Sequence, residues 1–145
     1  MTIQILSSLS HLRIGIIQLP CPEFTFCGNP RPPRTRDEYL RLPGFQQHCA
    51  RLAEETADYL KKLVDNAREP PIKILGIVGV ERSPTCGVKF TPVGEGSDKR
   101  YEEKKGIFIE LLIKSLKEKG LEIPTIGIDL EKPEESAEIL MKFTD

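Results

Sequence analysis

The sequence predicts a small α/β fold, a three-layer, doubly wound arrangement of the flavodoxin/Rossmann kind around a mostly parallel sheet. Three observations point there. Apolar β-branched runs at residues 14–19, 72–80 and 124–130 alternate with helix-period segments, the pattern of crossover units rather than hairpins. The central run, Ile-Lys-Ile-Leu-Gly-Ile-Val-Gly-Val, is apolar at alternating and intervening positions alike, as a strand covered on both faces must be. At 145 residues the chain is long enough to bury one core and short for two, so a single domain over 1–145 is expected.

The elements follow in order. Ile5, Leu6, Leu9 and Leu12 recur at helical spacing, and residues 14–19 then read as a buried strand stopped by Pro20 and Pro22. Between Cys21 and Gly44 lie five prolines (22, 30, 32, 33 and 43), which predict a long loop with one helical turn at residues 36–42. From Phe45 to Ala67 a stripe of Phe45, Cys49, Leu52, Ala53, Thr56, Ala57, Leu60, Leu63 and Val64 draws one helix face, ended by Pro70 and Pro71. The strand at 72–80 comes next, where Gly76 and Gly79 allow close approach of another element. A polar loop with Gly94, Gly96 and Gly106 leads to a helix carrying Ile107, Phe108, Leu111, Leu112 and Leu116 that stops at Gly120. A third strand at 124–130 and a helix from Pro133 to Phe143 complete the series.

Composition narrows the function. The formal net charge is −1 with 30% charged residues, so no global field recruits nucleic acid or a membrane surface. No apolar run approaches the roughly 20 residues of a spanning helix, and the N-terminal stretch lacks the basic start of a signal peptide. Four cysteines at irregular spacing (21, 27, 49 and 86) do not form a disulfide framework, and reduced thiols in a cytoplasm are expected.

Two loops carry the chemistry. Cys21 and Cys86 each fall just past the C-terminal end of a predicted strand, the rim where ligands of parallel sheets bind. Their loops read LPCPEF and ERSPTCGV, each with a proline within two residues of the cysteine, a rigid setting for a thiol. Ser83, Thr85 and the amides around Gly87 are candidate donors to a thiolate, sulfide or anion. Cys49, on the helix stripe, reads as a core residue. Arg31, Arg34, Arg36 and Arg41 share one loop, where guanidinium groups suit a carboxylate or phosphate, with Asp37 and Glu38 as alternative partners. Ser83 lacks a nearby base in a nucleophile-elbow pattern, which argues against a serine hydrolase. His11 and His48 lack zinc-ligand spacing, and the Gly76/Gly79 pair lies within a strand, not in a dinucleotide-binding turn.

Taken together, Cys21-Pro22-Glu23, Gly28-Asn29-Pro30-Arg31-Pro32-Pro33, Ser83-Pro84-Thr85-Cys86-Gly87 and Gly106-Ile107-Phe108 resemble the 2-thiouracil desulfurase family and related desulfidases. The resemblance runs from about residue 14 to 116. It implies a 4Fe-4S cluster held by three cysteines, with one iron free to take sulfur from a small thiolated substrate without net redox. Carried over by position, it makes Cys21 and Cys86 two of the ligands. Glu23 would then manage protons, Ser83 and Thr85 would orient groups, and Arg31, Arg34 and Gly87 would contact substrate.

The third ligand departs from the pattern, which places it in a loop near the N-terminus after an additional strand. Only about a dozen residues precede Ile14 here, and none is cysteine. Three arrangements follow: Cys27 substitutes, a first βα unit precedes this chain's Met1, or the cluster has been lost. Two other classes compete with the desulfidase, a cluster-free flavodoxin-like domain binding a nucleotide or nucleoside, and a cluster-free interaction module.

Overall fold

The structure is a computed structural model that describes residues 3–144; residues 1, 2 and 145 of the expected domain lie outside the described residues. Helices α1 (Ile3–Ser10), α2 (Pro22–Cys27), α3 (Arg36–Leu40) and α4 (Phe45–Asn66) precede strand β1 (Ile77–Val80). Strands β2 (Phe90–Val93) and β3 (Arg100–Glu103), helix α5 (Ile107–Glu118), strand β4 (Thr125–Ile128) and helix α6 (Pro133–Thr144) follow.

The chain is mixed α/β, with β1 and β4 forming a two-stranded parallel sheet in the register Ile77↔Thr125 to Val80↔Ile128. Side chains alternate across a strand, so Ile77 faces one way while Ile126 and Ile128 face the other. Ile77 packs with Ala53, Ala57 and Leu60 of α4 and with Phe108, Ile109, Leu112 and Leu116 of α5. Ile126 and Ile128 pack with Ile5 and Leu9 of α1 and Leu140 of α6. Helices thus pack on both faces of the pair, but the central run is not covered throughout: Ile72, Leu75 and Val78 are exposed. The α4 stripe is buried where the periodicity places it, at Phe45, Cys49, Ala53, Thr56, Ala57 and Leu60.

Three expectations are corrected. Residues 14–20 form no strand: no neighbour pairs with them, and Ile16 and Ile17 are 52% and 45% exposed. β-Branched composition describes fitness for a pleated, packed surface and cannot supply the partner strand. The strand expected over 72–80 shortens to Ile77–Val80 because β4 pairs only that stretch. The polar loop before α5 is instead an antiparallel hairpin, in which Phe90 pairs with Glu103 and Val93 with Arg100.

The proline-rich stretch also contains more helix than expected. Pro22 occupies the first turn of α2, where its missing amide costs nothing, Glu23 lies in that same turn, and Gly28 ends the helix at φ +73°. In α3 a full capping box forms: Thr35 accepts from the Glu38 amide and Glu38 accepts from the Thr35 amide.

Candidate active site

Cys21 is the N-cap of α2, not the end of a strand. Its carbonyl accepts the Thr25 amide at 3.0 Å and the Thr25 hydroxyl at 2.9 Å, which fixes the first turn and aims Glu23, two residues on, inward. Cys86 lies past the end of β1, as the sequence indicates, in a loop set by Ser83. The Ser83 Oγ accepts the Cys86 amide at 3.0 Å, and the Ser83 carbonyl accepts the Gly87 amide at 3.1 Å.

Glycines let this loop sit low. A methyl group on Gly79 would overlap the Cys86 carbonyl, and one on Gly106 would overlap Thr85. The loop in turn starts α5, because the Thr85 carbonyl accepts the Phe108 and Ile109 amides at 3.0 and 3.1 Å.

The two motifs meet at Glu23. Its Oε1 accepts the Thr85 hydroxyl at 2.8 Å, and its Oε2 accepts the Tyr39 hydroxyl at 3.1 Å and Arg31 Nε at 3.4 Å. The Glu23 side chain is only 14% exposed and Thr85 1%, so this carboxylate trades water for three fixed donors. Tyr39, which sequence reasoning did not select, is buried and stacked on Phe45 with ring centroids 4.6 Å apart. Burial pushes its phenol up, and Glu23 adds to the rise. Burial lowers the Arg31 pKa, but Glu23 and Tyr39 outweigh it and leave the guanidinium more basic than usual.

The thiols differ. Cys21 is exposed. Burial pushes the Cys86 thiol up, against the Thr85 hydroxyl that pulls it down, while charge on Cys21 and Glu23 raises it further. Cys49 is fully buried with Tyr39, Phe45 and Ile107, and burial pushes its pKa up to about 12, in keeping with the core residue the stripe implies.

Cys27 ends α2 and packs, half-buried, against the cluster of Tyr39, Phe45, Cys49 and Ile107. Its Sγ lies 3.9 Å from Arg34. No group of three His, Cys, Asp or Glu side chains able to hold a metal occurs among the described residues.

Other candidate residues are engaged within the protein. Arg36 pairs with Glu110 at 2.6 Å and Arg41 with Glu95 at 2.7 Å, while Arg34 lies over the Tyr39 ring at 5.6 Å. Arg31 alone of the four bonds to the Glu23 carboxylate itself. The amides expected to be open around Gly87 are occupied: Gly87 donates to Ser83, and the next three donate to Glu81. A cleft of about 520 Å³ between the hairpin and α6 is lined by Glu81, Phe90, Tyr101 and Asp129 and by neither Cys21 nor Cys86.

A family described as "Putative 2-thiouracil desulfurase" matches residues 3–123. The chain belongs to this family. The match takes in both cysteine loops and the Glu23 cluster between them, so the desulfurase resemblance carried by the CPE and SPTCG elements holds at the level of family. Uncharacterized protein MJ0003 of Methanocaldococcus jannaschii is 34% identical over 74 residues, covering 51% of this chain and 44% of that protein. The matched stretch thus spans less than half the length of that relative. No solved structure matches the chain. No helix among the described residues is long and apolar enough to cross a membrane.

Proposed function

We propose that the chain provides part of the site of an iron-sulfur-dependent desulfidase that removes sulfur from a small thiolated compound. The observation that carries this reading is the bond from Thr85 to Glu23 at 2.8 Å, which ties the residue before Cys86 to the carboxylate two residues after Cys21. Cys21 and Cys86 would be thiolate ligands, and soft sulfur donors suit iron-sulfur clusters.

The donor set fits a 4Fe-4S cluster only in part. Cys21 and Cys86 supply two thiols and Cys49 is sealed in the core, and the described residues bring no third metal-ligating side chain together with the first two. When bound, such a cluster would supply a Lewis-acidic iron for substrate sulfur. Within the chain, Glu23 would hold and release a proton at its carboxylate, with Thr85, Tyr39 and Arg31 fixing its orientation. Ser83 would keep the Cys86 loop in shape, and Arg31 would lend positive charge beside the carboxylate. The parallel pairing of β1 with β4 supports a doubly wound, flavodoxin-like sheet, and the free cysteines support a cytoplasmic protein.

Anaerobic reconstitution with iron and sulfide, in buffer containing a small thiol, tests the reading. The wild type should gain the visible absorbance and, after reduction, the EPR signal of a cluster; Cys21→Ala and Cys86→Ala should each lose them, and Cys27→Ala should keep them. A wild-type chain that takes up no cluster refutes the proposal for this protein.

A further inference from the structure

The Cys86 loop is held from a second side, by Glu81, which opens the ERSPTCGV stretch just ahead of the SPTCG element. Glu81 directly follows β1 and is anchored to the sheet by its own amide, which donates to the Ile128 carbonyl at 2.9 Å. Its carboxylate turns under the loop and accepts three consecutive amides: Val88 at 3.3 Å and Lys89 at 3.0 Å on Oε1, and Lys89 at 3.1 Å and Phe90 at 2.8 Å on Oε2. Successive amides converging in this way make a concavity for an anion, and here the chain fills it with its own carboxylate.

Space for that carboxylate is built in. A methyl group on Gly127 of β4 would overlap Glu81 Oε1. On the same side of the sheet, Gly79 gives way to the Cys86 carbonyl and the Val88 side chain. The segment is tied again by the Arg82 amide, which donates to the Phe90 carbonyl at 3.0 Å, and by the buried Thr91 hydroxyl, which donates to the Ser83 carbonyl at 3.2 Å.

We propose that Glu81 is a positioning residue for Cys86: gripping the amides of 88–90 from the end of β1, it holds the thiol-bearing turn rigidly against the sheet, with Gly127 as the vacancy that admits it. The proposal rests on Cys86 being a functional thiol, but its geometry needs no metal. Glu81 touches neither Glu23 nor Cys21 and acts only through the backbone.

Thiol trapping with an aromatic disulfide reagent, read residue by residue by mass spectrometry on the metal-free protein, tests it. Glu81→Ala should raise the Cys86 rate by about tenfold or more, since bonds to a charged acceptor are the strong ones, while leaving the Cys21 rate unchanged. Glu81→Gln, which keeps one carbonyl acceptor, should fall between the two. Gly127→Ala should reproduce Glu81→Ala, and the double variant should go no further, a non-additivity that general destabilisation does not produce.

Equal acceleration at Cys21 and Cys86, or additive effects of the two substitutions, overturns the proposal. Should the variants fail to fold, hydrogen exchange on the wild type still decides: the Val88, Lys89 and Phe90 amides must be protected, and rapid exchange at all three refutes it. Failure of cluster reconstitution with these results intact would sink the desulfidase reading and leave the role of Glu81 standing.

Discussion

The Thr85 hydroxyl donates to Glu23 across 2.8 Å and joins two short motifs from distant parts of the chain. Everything proposed for the site depends on that junction, because α2 and the Cys86 loop have no shared secondary structure to align them.

Removing the hydroxyl while keeping the shape should therefore be costly. Thr85→Val leaves Glu23 short of one donor in a site that is mostly dry, and a hydrogen bond to a charged group is worth about 1.5–3 kcal/mol. We expect a loss of that order in urea-denaturation stability. Tyr39→Phe should cost a comparable amount, and the double variant should depart from additivity because both groups serve one carboxylate. Strict additivity would show that the donors act independently.

Gly106 should tolerate no side chain. Its absent Cβ leaves room for the Thr85 carbonyl and the Cys86 amide, and overpacking costs about 1–3 kcal/mol. Gly106→Ala should lower stability by at least that much in chemical denaturation, whereas Gly15→Ala, with nothing within 4 Å of the added carbon, should change little.

Cys49 sets an alkaline limit. Its pKa rises from 9.0 to about 12 through burial, so the folded chain holds a proton that the unfolded chain releases. A folded pKa above the unfolded one gives stability that is full below pH 9 and is lost as pH climbs toward 12. Denaturation midpoints measured from pH 8 to 11 should fall, and Cys49→Ala should flatten that slope while lowering stability at pH 7 through the small cavity it leaves.

Thiol accessibility ranks the cysteines. Cys21 is exposed and Cys49 fully buried, with Cys27 and Cys86 between them. Maleimide labelling of the native protein should modify Cys21 first and leave Cys49 unmodified until the chain unfolds. Early labelling of Cys49 would contradict its place in the core.

Sequence patterns revealed those parts of the fold whose information is local. The α4 stripe and the α5 periodicity are regular over many residues, and burial follows them. The hairpin escaped notice because Pro92 interrupts one strand and Arg100-Tyr101-Glu102-Glu103 looks like a solvated loop; only pairing makes either a strand. Helix α2 had a usable signal, Pro22 at its first position followed by Glu23 and closed by Gly28, hidden among the neighbouring prolines. Tyr39 carried no signal, since nothing in α3 announces that its phenol reaches a carboxylate 16 residues away.

The sequence by itself determined the α/β class, the family motifs, the core position of Cys49 and the choice of Cys21, Glu23, Thr85 and Cys86, because residue type, period and short-range spacing encode these. Tertiary structure alone decided which of them meet. It joined Thr85 to Glu23 and added Tyr39 and Arg31 to that carboxylate. It also left residues 14–20 without a strand and turned Glu81 under the Cys86 loop. The physical reason is common to all of these: a hydrogen bond or a strand pair requires two partners in one place, and distant segments reach one place only when the core between them is packed.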